Sequence, residues 1–340
     1  MLIMREPAIL ASGFLLASGI LLLGLSFGAA TALGQLVETA GQHYYDGART
    51  FVDSTLEELR KAVPELASLD PASSQKDLPP ILGKVGANVE ALLETFPNVS
   101  SHEEITEERL DSSGHVVAQR VDSFSFLILA HPSGAHGENV DIDEYRTDAQ
   151  GKLIAPQGSI EGFSLTRGFA DQWAHFYPGN RASSRFRLLG RQVLGGQQTY
   201  AVAFAQRPGW ATVVGTVVRN RKSVLILYQG IAWIDAAGYQ ILRIRTDLLA
   251  PRPDINLKKQ TTEIEYAEVR LPQVSSSLWL PRKVIVTTTT KERVQALGST
   301  SATEVCDQVF RNRHQYSQYK LFRAESTIKP IGPDQAIPEK

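Results

Sequence analysis

Two hydrophobic periods divide the chain. Between residues 36 and 63, Tyr45, Ala48, Val52, Leu56, Leu59 and Val63 recur 3, 4, 4, 3 and 4 apart, which draws one apolar stripe along a helix ending at Pro64. Residues 64 to 80, rich in Pro, Ser and Asp, read as a linker. A second helix starts at Asp77 with Pro79 and Pro80 in its first turn, carries Val85, Val89, Leu92 and Phe96 on one side, and stops at Pro97. From Val99 the period falls to 2. The strands expected are 105–110 and 115–130 around an Asp111-Ser-Ser-Gly114 turn, then 140–147, 152–154, 185–193, 199–205, 224–234, 239–249, 261–270, 278–290 and 314–324. A short helix is expected within 162–177, and 291–310 reads as a polar insertion, long for a hairpin.

The stretch from Gln198 to Leu249 organises the rest. Tyr200, Val202 and Phe204 point to one face of a strand, and Ala201, Ala203 and Ala205 to the other. The flat alanine face admits close approach by a helix or a ligand. Val224 to Tyr228 is apolar on both faces, and Trp233 and Ile234 extend it to a turn at Asp235-Ala-Ala-Gly238. In the next strand Leu242, Ile244 and Thr246 share one face, while Ile241, Arg243 and Arg245 share the other, a basic outer row. Helices first and then an antiparallel meander predict an α+β fold. Its sheet is strongly curved, an incomplete β-barrel of about ten strands, with amphipathic helices against the concave face.

Composition narrows this little. The 340 residues are 43% hydrophobic and 21% charged, and a formal net charge of −1 offers no electrostatic case for nucleic acid. The single cysteine, Cys306, excludes an internal disulfide and a multi-cysteine zinc site. The amino terminus changes the picture more. Arg5 precedes an uncharged run from Pro7 to Gln35, leucine-rich over Phe14 to Phe27 and followed by Ala29-Ala-Thr-Ala-Leu-Gly34. This reads as a signal peptide cleaved after Ala32 or Gly34. The run is also long enough to span a bilayer as an uncleaved anchor over residues 8–32. Both readings export the rest. The expected organisation is a signal peptide or anchor at 1–34, a helical segment at 36–97, a β domain at 98–328 and a loose tail at 329–340.

The leading helix pair, the Asp-Ser-Ser-Gly hairpin, Gly190 to Ala205, Gly230-Ile-Ala-Trp-Ile-Asp235, Ile241-Leu-Arg-Ile-Arg245 and Leu280-Pro-Arg-Lys-Val284 follow one another in a telling order. That order resembles the periplasmic lipoprotein-sorting carriers over roughly residues 80 to 325. The resemblance implies an incomplete antiparallel barrel closed by helices, with an apolar cavity for acyl chains. The whole chain also resembles a group of uncharacterised exported bacterial proteins.

Candidate chemistry is sparse. Gly-x-Ser-x-Gly, Gly-x-Gly-x-x-Gly, P-loop and His-Glu-x-x-His patterns are absent from the sequence. His131 and His136 lack a convincingly spaced third ligand and read as loop residues. His102 with Glu103, Glu104, Glu107 and Glu108 reads as a solvated face instead of an acid–base cluster. Asp141, Asp143, Asp148 and Gly151 miss calcium-loop spacing and read as a surface turn. No catalytic residue, metal or cofactor is expected. The expected apolar lining for an acyl chain is Val202, Phe204, Leu225, Leu227, Trp233, Leu242 and Ile244. Arg185, Arg187, Arg243 and Arg245 read as an ordinary outward face balanced by Glu263 and Glu265 across the sheet or, as the candidate site, a basic patch for headgroups or an acidic partner. The reading is a non-enzymatic envelope protein binding a lipid or lipoprotein acyl chain. The alternative is a membrane-tethered module presenting its sheet to an envelope protein partner.

Overall fold

The computed structural model describes residues 42–322, apart from 134–138, 155–168, 170–171, 212, 214, 220–221 and 296–302. The apolar run read as signal peptide or anchor and the expected loose tail lie outside the described residues. The helices are α1 (Leu56–Ala62) and α2 (Leu78–Thr95). The strands are β1 (Asp70–Pro71), β2 (Val99–Leu110), β3 (Val116–Ser133), β4 (Asn139–Thr147), β5 (Ser184–Leu194), β6 (Gln197–Gln206), β7 (Gly215–Arg219), β8 (Lys222–Ile226), β9 (Tyr228–Asp235), β10 (Ile241–Leu248), β11 (Leu257–Val269), β12 (Leu278–Gln295) and β13 (Thr303–Leu321). Eleven of them form one open antiparallel sheet in the order β1-β5-β6-β9-β10-β11-β12-β13-β2-β3-β4, and β7 pairs with β8 separately.

That sheet curls. Phe169 donates its backbone N–H to Glu144 on β4, and its carbonyl accepts from the Tyr266 hydroxyl on β11. These strands are five places apart in the sheet order. In a flat sheet they would stand ~24 Å apart, beyond the reach of one glutamate and one tyrosine meeting at a single residue. The wall therefore wraps around Phe169, as an incomplete barrel does.

Alternation decides which element covers which face. Val202 and Phe204 of β6 belong to the apolar cluster that contains Ile81, Val85 and Val89 of α2. Ala201 and Ala203 belong to a second cluster with Leu59 of α1, Val63, Leu66 and Leu69. The two helical segments thus pack on opposite faces of the sheet and do not share its concavity. The alanine row does admit close approach, and what approaches is the chain from residue 42 to 72. On the α2 face, Trp173, Ala174 and Phe176 from a 3-10 turn at Gln172–Phe176 join α2. The β7–β8 hairpin covers the far end through Val217, Ile226, Tyr228 and Leu248.

Four expectations are corrected. The first helix is confined to Leu56–Ala62, because Gly47 takes a left-handed φ of 72° and the Thr50 hydroxyl bonds Asp53, which favours turns over a continuous helix. Thr55 caps α1 in a capping box with Glu58. Residues 64–72 are pinned to the sheet, since Leu66 and Leu69 are buried and Asp70–Pro71 pairs with β5. The expected strand 224–234 breaks at Leu227 into β8 and β9, which belong to different sheets. The 291–310 stretch continues β12 to Gln295 and resumes in β13 at Thr303, so its described parts are ladder and not insertion. The expected second helix is α2; Pro79 and Pro80 occupy its first turn, although the Asp77 side chain makes no capping bond.

A charged cluster and a narrow cleft on the α2 face

α2 sits on the sheet by an apolar stripe. Its polar ties are at the β9–β10 turn, where Asn88 Nδ2 donates to the Gly238 carbonyl at 2.8 Å and Lys84 Nζ to the Tyr239 hydroxyl at 3.2 Å. The Lys84 ammonium also stands 4.3 Å from the centre of the Tyr239 ring. Gly86 lets the helix approach the 172–178 segment, because a Cβ there would lie 3.2 Å from Pro178 Cγ. Beside this seat runs a cleft of about 20 Å³, lined among others by Val85, Val89, Trp173, Ile241, Tyr266 and Trp279. It has room for about one water.

Further along the same face the wall turns polar. Glu103 of β2 is fully buried and takes four contacts. Arg146 of β4 reaches it through Nε at 2.5 Å and Nη2 at 2.8 Å, the Tyr316 hydroxyl donates at 2.8 Å, and His314 Nδ1 stands at 3.0 Å. Burial pushes the Glu103 carboxyl up, but the Arg146 charge and the hydrogen bonds outweigh it and hold it down to about 2. Burial lowers His314 below its ordinary value, against the pull of Glu103, and raises the Tyr316 hydroxyl well above its own. The network is therefore Glu⁻–Arg⁺ with a tyrosine donor, set beneath Phe126 and Phe169.

Glu107 lies two positions beyond Ile105 on the same side of β2 and is 1% exposed. Burial pushes its carboxyl up to about 7; Arg120 draws it down and Asp122 adds to the rise. Arg120 and Asp122 pair with each other at 2.5 Å, and Glu107 Oε1 has no hydrogen-bond partner. The expectation of a solvated glutamate face is thus corrected for three of its four glutamates: Glu103, Glu107 and Glu108 are buried, while Glu104 and the neighbouring His102 are exposed. Glu108 points the other way and is held by Arg311 and Arg313, each at 2.6 Å. Burial lowers His175, on the 3-10 turn, to about 4, so it is neutral.

The expected apolar lining is divided. Val202, Phe204 and Ile244 lie on the α2 face. Trp233 lies on the α1 face, and Leu225 and Leu227 pack with Tyr45 and Ala205. Leu242 is buried at an irregularity where Ile241 faces Ile234 and Arg243 faces Trp233, two residues against one. That bulge turns Ile241, expected beside the arginines, onto the α2 face with Ile244.

The four arginines meet the 42–72 chain. Arg185 grips Asp53 through two nitrogens at 2.7 Å, and Arg187 donates to the Ser54 carbonyl at 2.6 Å. Arg243 bonds Glu65 at 2.9 Å and Glu263 at 2.8 Å. Arg245, 6% exposed, bonds Asp247 at 2.8 Å and lies within 3.7 Å of Glu65. Arg185 also borders an open groove of about 290 Å³ with Tyr45, Thr50, Arg207 and Trp210.

The other expectations concerned turns and metals. Asp148 makes a turn by accepting from Gln150 and Lys152 backbone N–H groups, and His131 lies 3.8 Å from Asp143. His136 lies outside the described residues. Among the described residues no group of three or more His, Cys, Asp or Glu is placed to hold a metal ion.

No protein-family model and no curated protein matches the chain. Similar solved structures include a DUF1329 family protein from Desulfovibrio piger, at 11% identity over 73% of this chain and 95% of that one, with a TM-score of 0.37. An outer membrane lipoprotein-sorting protein domain from Vibrio parahaemolyticus shares 12% identity over 72% and 93%, with a TM-score of 0.32. A LolA superfamily protein from Nitrosomonas europaea shares 13% over 72% and 94%, with a TM-score of 0.27. These identities and scores carry neither residues nor an activity across to this chain.

Proposed function

We propose that the protein is an exported, non-enzymatic envelope protein that takes the acyl chain of a lipid or lipoprotein between α2 and the curved sheet. The observation that carries this reading is the seating of α2. An apolar stripe holds it on a wall of apolar and aromatic side chains, with the cleft beside it and side-chain hydrogen bonds at its exposed edge.

The cleft as it stands is too small for an acyl chain, so uptake requires α2 to lift. Magnitudes make that affordable. Burying one methylene contributes ~0.8 kcal/mol, so a chain of about fifteen contributes ~12 kcal/mol. Exposing Ile81, Val85, Val89 and Leu92 costs ~1.5–3 kcal/mol each, and an inserted chain covers the helix again from beneath. The export part rests on the amino-terminal run.

A second reading, a tethered module that presents its sheet to a protein partner, draws on Val116, Val117 and Val121. These stand 43%, 53% and 54% exposed about the β2–β3 hairpin.

Native mass spectrometry of the exported chain, purified without detergent, tests the carrier. An acyl-sized mass that is lost on denaturation and regained with added phospholipid is expected. A protein that stays apo at every lipid ratio, with α2 amides that never open, removes the carrier and leaves the partner module.

A further inference from the structure

Trp173 is 3% exposed, lines the cleft beside α2, and its indole Nε1 is buried without a hydrogen-bond acceptor. An indole N–H is a donor with no alternative role, and buried donors are nearly always satisfied. A second buried tryptophan also lacks an acceptor: Trp233 lies fully enclosed in the cluster under α1, stacked by Arg243 at 5.2 Å. What separates Trp173 is its place in the wall of a mostly apolar cleft, where Val85, Val89, Leu92, Ile241 and Trp279 stand beside the polar groups of Asn88, Tyr239, Gln240 and Tyr266. With α2 lifted, a plain hydrocarbon against this wall would leave the N–H bare. A carbonyl oxygen at the root of the apolar chain would give the donor an acceptor.

We infer that Trp173 is a ligand-orienting residue, donating its indole N–H to the carbonyl oxygen of an acyl ester or acyl amide whose chain lies under α2. The inference rests on the carrier reading and specifies its ligand: acyl compounds are preferred over alkyl ones. Apolar packing in the cleft binds either chain. Trp173 fixes the depth at which the chain stops, with its carbonyl at the indole and its headgroup towards the helix edge at Asn88 and Gln240, which also line the cleft.

The test uses three probes of equal chain length on the detergent-free protein. They are 1-palmitoyl lysophosphatidylcholine (an ester), its 1-O-hexadecyl ether analogue, and N-palmitoyl glycine (an amide). The wild type is expected to bind the ester and the amide about tenfold more tightly than the ether, as one satisfied buried hydrogen bond predicts. Trp173→Phe keeps an aromatic wall and is expected to lose that discrimination, the ester and the amide falling to the affinity of the ether. Should the variant fold poorly, the wild type still reports. With ¹⁵N-labelled tryptophan, the Trp173 indole N–H resonance moves downfield with the ester and not with the ether.

Ester and ether bound equally by the wild type, with a silent indole, overturn the inference and leave the carrier intact. Failure of all three probes to bind removes the carrier and the inference with it. Preference for the amide over the ester points to the N-acyl group of a lipoprotein, and the reverse to a glycerolipid.

Discussion

Glu103 and Arg146 form a two-pronged ion pair, 2.5 and 2.8 Å, that ties β2 to β4 across the intervening β3. Both are buried, so neither charge has water to fall back on. Glu103→Leu strands the Arg146 guanidinium and is expected to destabilise the fold by about 3–5 kcal/mol. The double variant Glu103→Leu/Arg146→Met removes both charges and is expected to recover most of that loss. Urea denaturation of the single and double variants measures both. A single variant within about 1 kcal/mol of wild type would mean that water reaches the pair.

Glu107 gives the fold a pH dependence of known sign. Its folded carboxyl titrates near 7 instead of at its ordinary 4.5 because it is buried. Between those values the folded state holds a proton that the unfolded state has released. Stability from this group is therefore fully present below pH 4.5 and is lost as the pH rises through 7. Glu107→Gln removes the dependence. It is expected to raise stability at pH 8 by about 1–3 kcal/mol and to leave it unchanged at pH 4. Denaturation midpoints for wild type and variant at the two pH values decide it. An equal difference at both would place the effect in packing instead.

How much of this was legible differs along the chain. The alternation of Tyr200, Val202 and Phe204 against three alanines announced a sheet with two unlike faces, and both proved covered. Period 2 on β2 also put Glu103 and Glu107 in step with Ile105, a buried position. The density of charge nevertheless read as solvent, because the partner Arg146 comes from a strand 43 residues away. The Ile241–Arg243 bulge was illegible for a different reason: strict alternation has no place for an extra residue. The turns within 45–55 hid behind a good helical stripe, since the same positions face the sheet as an irregular strap. Contacts set by Phe169 depend on how far the sheet curls, and sequence pattern holds no measure of that.

Arg245 was expected on an outer row and is instead enclosed with Glu65, Asp247 and Glu263 beneath the 42–72 chain. Arg245→Met keeps the stem and deletes the charge, leaving Asp247 without its arginine and Glu65 and Glu263 with Arg243 alone. A loss of about 2–4 kcal/mol is expected. Proteolysis within residues 42–72 should quicken before the sheet opens. Limited trypsin digestion with mass mapping measures this. Unchanged stability together with weakened binding to anionic vesicles would instead return Arg245 to a headgroup patch.

If α2 is the moving part, its edge bonds set how often it moves. Lys84 and Asn88 tie the helix to the Gly238–Tyr239 turn through two hydrogen bonds and a cation–ring contact, all at exposed positions. Each contributes ~0.5–1 kcal/mol where water competes. Lys84→Ala/Asn88→Ala removes all three without touching the buried stripe of Ile81, Val85 and Val89. The open population of α2 is then expected to rise about tenfold, while the sheet keeps its stability. Hydrogen exchange reads the two separately: amides of residues 82–92 exchange about tenfold faster in the variant, and those of β11 to β13 exchange as before. Lipid uptake limited by opening accelerates by the same factor. Exchange of α2 amides solely by global unfolding, in wild type and variant alike, would show that the helix is a fixed part of the wall, and the acyl chain would then need another way in.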